Sequence, residues 1–329
     1  MEQPNLPVFK DVVSASERLA GRVRRTPVLS HEAIDDMAGG QVFVKAECLQ
    51  VTGSFKIRGA TNRLLQIPED RRAAGVVAFS SGNHAQGVAR AARLLGMPAL
   101  IVMPSDAPGV KADGVRADGA EIRFYDPATE SREEIAAALS AERGAVLVPS
   151  YDDFDIIAGQ GTAGLEFAAQ MAEAGTPLDH VICCAGGGGL ITGVALALEG
   201  ASPGTRVWTA EPEGYDDWAR SLAAGEILAN APGRRSFCDA ILTPKPGNMT
   251  FAIGKRLLSG GLVVSDHDVA VAMRAAFRYL KIVAEPGGSV ALAAVLHALP
   301  DDMRGKRIGV LVTGGNVDAA LYAEVLSAA

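Results

Sequence analysis

No block of Lys and Arg occurs anywhere in the 329 residues. With 31 basic side chains against 38 acidic ones, the net charge is −7, which argues against nucleic acid or an anionic membrane surface as partner. Cysteine is scarce, and Cys48, Cys183, Cys184 and Cys238 show no framework spacing. Cys183 and Cys184 are adjacent in an apolar run, where successive strand side chains face opposite ways. They read as reduced core residues of a cytoplasmic protein. The stretch MEQPNLPVFKDV at the N-terminus lacks an apolar core of the signal-peptide kind. Internal repeats and low-complexity tracts are missing as well. Uncharged Val181 to Leu198 is long enough to raise a membrane helix. Four consecutive glycines in its middle would each cost such a helix roughly 1 kcal/mol. A strand, a glycine turn and a helix fit it better.

What is present is a globular composition, 48% hydrophobic and 21% charged with 37 glycines, and enough chain for one large domain or two moderate ones. Short Val/Ile-rich runs alternate with Ala/Leu/Arg segments of helical period. Strands are expected at 41–46, 76–79, 99–103, 121–125, 146–148, 181–184, 206–210 and 308–312. Helices are expected at 84–95, 131–143, 162–173, 268–281 and 288–298. This alternation predicts α/β architecture with mainly parallel sheets. Two sheets are favoured over one, given the number of strands. Residues 230–248 are the least regular and suit a loop over a site.

Three glycine-rich segments follow expected strands: SSGNHAQG at 80–87, GGGG at 186–189 and TGGNVD at 313–318. Ligands of open parallel sheets bind where such turns lie, at the carboxyl ends of strands. A tetraglycine turn lets several N–H groups converge on an anion at a helix N-terminus, and phosphate is the natural guest. A plain tight connection is the alternative. A dinucleotide fingerprint is incomplete, because Ile191 stands where the third glycine belongs and Gly193 comes late. Glu211, about 22 residues beyond the turn, keeps a nicotinamide oxidoreductase open.

Lys56, in VTGSFKIRGA, sits between apolar Phe55 and Ile57. Taken alone it reads first as a surface lysine with a buried stem. Beside a phosphate site it suggests pyridoxal phosphate, since a desolvated lysine has a lowered pKa, forms a Schiff base and later acts as a base.

Taken together, TGSFKIRGA (52–60), SSGNHAQG (80–87), IAGQGT (157–162), GGGG (186–189), AEP (210–212), EPGG (285–288) and TGGNVD (313–318) resemble the fold-type II pyridoxal-phosphate enzymes. The likeness is to the serine/threonine dehydratase, serine racemase and 3-hydroxyaspartate dehydratase family, in the family's order across nearly the whole chain. It implies a tryptophan-synthase-β-like fold of two open, twisted, mainly parallel α/β sheet domains. Residues 51–150 would form a small domain inserted in a large one made of 1–50 and 151–329.

The resemblance implies these roles. Lys56 would bond the cofactor and remove the Cα proton. Phe55 would lie against the ring, Asn83 would meet its phenolic oxygen, and Gly186, Gly187, Gly188 and Gly189 would cradle the phosphate. Glu285, in EPGG, falls in the cofactor site, and Thr313 would meet the pyridine nitrogen. A hydroxyl there, unlike a carboxylate, does not stabilise a protonated ring, which favours prompt loss of a β-hydroxyl over transamination. Ser54, Ser81, Asn83 and His84 would bind the substrate carboxylate. Ser81 matches the second base of racemases, and it equally suits a helix N-cap. Glu211, Asp217 and the Tyr215 carbonyl match a site for Mg²⁺, or Ca²⁺ or Mn²⁺; an acidic surface turn is the alternative. Arg132 resembles an arginine able to approach a distal carboxylate, though flanking Glu133 and Glu134 also suit a solvated helix face. CDAIL at 238–242 departs from the family's I-A-D-G. No isoleucine-binding regulatory domain is expected beyond Ala329.

The resulting expectation is an ammonia-lyase releasing a 2-oxo acid from a β-hydroxy α-amino acid, with serine/threonine first, 3-hydroxyaspartate second and serine racemase third. A homodimer without nucleic-acid or membrane partners is expected from the same likeness. A cofactor-binding protein without turnover and the oxidoreductase are the competing classes.

Overall fold

In a computed structural model, which describes residues 5–80, 82–107 and 109–328 apart from the side chain of Val110, the chain folds around two sheets. The strands are β1 (Val28–Leu29), β2 (Gln41–Ala46), β3 (Val76–Phe79), β4 (Ala99–Pro104), β5 (Glu121–Tyr125), β6 (Val146–Leu147), β7 (His180–Cys184), β8 (Arg206–Pro212), β9 (Leu258–Val264) and β10 (Arg307–Val312). One sheet has the order β1-β2-β10-β7-β8-β9, the other β5-β4-β3-β6. Every pairing is parallel except β1 with β2. Parallel sheets are covered by helices on both faces, so their strands are apolar throughout rather than alternating. All five residues of β7 are buried accordingly. The helix Pro286–His297 is buried over most of its length and supplies the centre of the larger core, against Ile182, Val310 and Ile308.

The structure departs from the sequence reading in informative places. The expected helix at 162–173 begins at Phe154. The glycines of IAGQGT look like a turn, but the Asp153 carboxylate caps the helix by accepting the N–H groups of Asp155 and Ile156, both at 3.0 Å. The expected helix at 268–281 is regular only over Asp266–Ala275. It then widens through Ala276–Leu280 and stops at Lys281, whose φ is +59°. Strand β9 was not expected, because LSGG reads as a turn. An edge position tolerates the glycines, and its pairing with β8 shifts register between Val207 and Thr209. Val181 to Leu198 resolves into β7, the glycine turn and the helix Gly189–Ala201. No helix among the described residues is long and apolar enough to cross a membrane.

Beneath the helix Lys56–Leu65 lies a charge cluster that periodicity did not reveal. Arg58, buried, donates from Nε to Glu47 Oε2 at 2.8 Å and from Nη2 to Glu47 Oε1 at 2.7 Å, and also pairs with Glu166. Lys45 Nζ donates to Glu166 and to the Thr26 carbonyl. Burial lowers the pKa of Lys45, whereas Arg58 holds Glu47 ionised despite its burial. One residue, Ile57, separates Lys56 from Arg58, so the cluster anchors the first turn of the helix that starts at Lys56.

Candidate active site

The carboxyl ends of β7, β10 and β3 open into one cleft of about 450 Å³. Its lining gathers Phe55, Lys56, Asn83, His84, Arg132, Gly186 to Gly189, Glu285 and Thr313. Thus three glycine turns far apart in sequence meet around Lys56, as open α/β sheets dictate.

Lys56 starts its helix directly after the TGSF turn, in which Gly53 has φ +72°. That segment is tied to the turn after β10, since Phe55 N–H donates to Thr313 O at 3.1 Å and Gly315 N–H to Gly53 O at 2.9 Å. Lys56 Nζ donates to Ser150 O at 3.0 Å and lies 5.3 Å from the Phe55 ring centre. Burial lowers its pKa to about 8, so this is not a solvated surface lysine.

The tetraglycine turn is held from outside. Trp218 Nε1 donates to Gly186 O at 2.6 Å, and Thr250 Oγ1 to Gly187 O at 2.7 Å. Thr192 Oγ1 donates to Gly188 O at 2.8 Å. The N–H groups of Gly186 to Gly189 find no acceptor among the described residues, so the unspent donors of the turn all remain for a guest. Side chains would block it. A Cβ on Gly187 would strike the Tyr151 ring, and one on Gly188, whose φ is +98°, would strike Trp218.

Opposite the turn, Asn83 Nδ2 donates to Glu285 Oε1 while its Oδ1 accepts from Asn316 Nδ2 at 2.7 Å. Asn316 also donates to Thr52 O at 2.8 Å. Sequence reasoning gave Asn316 no role, although TGGNVD contained it. Glu285 is raised to about 7 by burial, and its Oε2 has no partner among the described residues. Thr313 Oγ1 and Cys184 Sγ share a 3.3 Å hydrogen bond at the inner end of the cleft.

Ser54 Oγ is buried and unpartnered among the described residues. His84 Nε2 lies 3.1 Å from Val148 O, and burial drops its pKa to about 3. The ring is therefore neutral with its proton on Nε2, and the unpartnered Nδ1 presents a lone pair. A lone pair accepts from a hydroxyl or ammonium rather than binding a carboxylate. Ser81 lies outside the described residues. Arg132 begins the helix Arg132–Arg143 behind the N-cap Ser131 and reaches the cleft mouth 45% exposed. There its guanidinium lies 5.5 Å from the Phe79 ring centre and pairs with Glu133 at 2.8 Å.

Glu211 and Asp217 lie outside the cleft, behind Trp218. Glu211, at the end of β8, accepts the N–H groups of Trp218 and Ala219, both at 2.8 Å. Asp217 Oδ1 accepts from Asn230 at 2.6 Å, and Oδ2 is buried without a partner among the described residues. Burial raises Glu211 well above the ordinary range, and the charge of Asp217 adds to it; burial raises Asp217 to about 6. The Tyr215 hydroxyl donates to Arg234 O at 3.0 Å. Among the described residues, no three His, Cys, Asp or Glu side chains gather as a metal cluster; the site as expected relies on two carboxylates and a carbonyl.

The family model for pyridoxal-phosphate dependent enzymes matches residues 19–314. An L-threo-3-hydroxyaspartate ammonia-lyase of Pseudomonas sp is 47% identical, over 97% of this chain and 98% of its own. A serine racemase of Schizosaccharomyces pombe is 40% identical, over 98% of both chains. The structure of maize serine racemase superposes with a TM-score of 0.90 at 38% identity, covering 97% of this chain and 96% of that one. The chain belongs to the pyridoxal-phosphate dependent enzymes, in the fold type II branch of ammonia-lyases and serine racemases.

Proposed function

We propose that this protein is an ammonia-lyase that eliminates water from 3-hydroxyaspartate, giving oxaloacetate and ammonia, with pyridoxal phosphate held in the cleft. The observation that carries the substrate is Arg132, a cation lining the cleft at the head of a helix capped by Ser131. The 47% identity to an L-threo-3-hydroxyaspartate ammonia-lyase points the same way.

The residues present fit the cofactor. Four unspent N–H groups would take its phosphate, Asn83 its phenolic oxygen and Thr313 its pyridine nitrogen, with Phe55 beside the ring. Lys56 Nζ would hold it covalently. When bound, pyridoxal phosphate supplies the electron sink for the bond broken at Cα.

The protein's own groups do the rest. The first-turn N–H groups of the helix Asn83–Leu94 and the Ser54 hydroxyl bind the α-carboxylate. His84 Nδ1 accepts from the β-hydroxyl and orients it. Lys56 Nζ, whose pKa burial lowers to about 8, would be the group that takes the Cα proton, in the fraction that is unprotonated. Arg132 adds positive charge at the mouth, which favours entry of a dicarboxylic substrate. Ser81 keeps its sequence-based assignment as the base on the opposite face. Asn83 is fixed by Glu285 and Asn316, so its amide orientation is set before substrate arrives.

Glu211, Asp217 and the Tyr215 carbonyl are proposed ligands of Mg²⁺, with Ca²⁺ or Mn²⁺ as alternative oxygen-seeking cations. Two buried carboxylates with raised pKa values and one unpartnered oxygen support this. We further take 51–150 as the small domain, a homodimer as the assembly and the cytoplasm as the location.

The test is 2-oxo acid release from L-serine, L-threonine and both 3-hydroxyaspartate diastereomers, with and without EDTA. Highest kcat/KM on one hydroxyaspartate diastereomer is expected. Preference for serine or threonine would replace the substrate, and a protein without an absorbance band at roughly 410–420 nm would reject the cofactor reading.

A further inference from the structure

Lys111 and Asp239 form an ion pair across the cleft. Lys111 comes from the helix Gly109–Ala117, beside the four-stranded sheet, and Asp239 from the irregular 230–248 segment on the other side. The two partners are unequal. The lysine side chain is 8% exposed, whereas the aspartate is 52% exposed.

The lysine also points inward. A Cβ on Gly82 would lie 3.7 Å from Lys111 Nζ, so the ammonium sits over the turn that leads into Asn83 and His84. Its charge is felt at Glu285 as well. Arg132, by contrast, sits at the mouth and already has Glu133 as its partner.

A buried ammonium needs an anion. Here the anion is a carboxylate on a largely exposed loop segment, which can return to water at little cost. A substrate with one carboxylate spends it on the Asn83 turn and leaves Lys111 to Asp239. A substrate with two brings a replacement. We propose that Lys111 is the specificity-determining cation for the distal carboxylate of a dicarboxylic substrate, and that Asp239 is a placeholder carboxylate displaced when that substrate enters. This rests on the hydroxyaspartate reading and names the residue that would enforce it, deeper in the cleft than Arg132.

The test is calorimetric binding of succinate, a non-reacting dicarboxylate, to the holoenzyme, with butyrate as the single-carboxylate control. Lys111→Met should weaken succinate by about 30-fold or more, the scale of stranding one partner of a desolvated charge pair. Lys111→Arg should recover most of that loss. Asp239→Asn should tighten succinate several-fold, because the competitor is gone, while butyrate stays within about 3-fold throughout. A simple brace between the two sides predicts the opposite sign for Asp239→Asn. Weaker succinate binding in that variant overturns the proposal, even if Lys111→Met does not fold. So does Lys111→Met binding succinate like the wild type.

Hydroxyaspartate turnover is read separately. Lys111-dependent succinate binding without hydroxyaspartate turnover removes the substrate reading alone. Turnover with Lys111-independent succinate binding removes this assignment alone.

Discussion

On the phosphate side of the cleft, one contiguous turn has the carbonyls of Gly186, Gly187 and Gly188 fastened from behind and its N–H groups left over. On the substrate side, the unpartnered atoms belong to side chains from separate elements, Ser54 before its helix and His84 at the start of another, and the cation Arg132 begins a third. The first surface is rigid and chemically simple, so it suits a resident group. The second changes composition when any one element changes, so it suits the choice of substrate. Trp218 joins the phosphate side to the carboxylate pair behind it, since its backbone N–H serves Glu211 and its indole N–H serves Gly186.

Breaking the two sides should give different signatures. The largest effect falls on Lys56, which serves both: Lys56→Ala should lower ammonia release on the order of 1,000-fold or more, the scale of losing a positioned base. Equal activity would mean another group takes the Cα proton. Next is Gly188→Ala, which forces a side chain into a left-handed backbone and against Trp218. The strain and overpacking together are worth about 3 kcal/mol, or on the order of 100-fold in cofactor Kd read by fluorescence titration. Its substrate-side counterpart, Ser54→Ala, should raise KM about 10-fold and leave cofactor Kd alone. If both variants change cofactor affinity alike, the division between the two sides is wrong. A third change lies beneath both. Glu47→Gln removes the buried one of the two carboxylates that pair with Arg58 and should cost about 3 kcal/mol of stability by urea unfolding.

The smallest effect is on the cation site, and its sign follows from the raised carboxyls. Asp217 has a folded pKa near 6 against an ordinary value of 3.8. The folded protein therefore binds that proton more tightly than the unfolded chain. Stability from this group is highest below about pH 4, falls as pH rises to 6, and stays low above that; Glu211 extends the loss upward. In the proposed site, Mg²⁺ would take the place of the protons. It should raise Tm by a few degrees at pH 8 and by less at pH 5; an equal shift at both would place the cation elsewhere.

Much of this was legible because motifs name backbone. GGGG after an apolar strand forces a turn with spare donors, and TGSFK places the lysine at the head of a helix. Asn316 lay inside a quoted motif, yet its contact with Asn83 spans two turns that only the folded sheets bring together. Lys111 had less signal still: VKADGVRA reads as an ordinary amphipathic surface, and only the packing of its helix turns the lysine into the cleft. Arg132 was legible as a candidate but not as a wall residue, because REE fits a solvated face and a cleft mouth equally. The Glu47–Arg58 pair was invisible to periodicity, which treats charge as exposed, whereas here two opposite charges are buried together.

Borohydride reduction of the purified holoenzyme, followed by peptide mass mapping, tests the central claim most directly. The account predicts a single pyridoxyl adduct on Lys56, absent from Lys56→Ala. An adduct on Lys111 or any other lysine, or none at all, would contradict it.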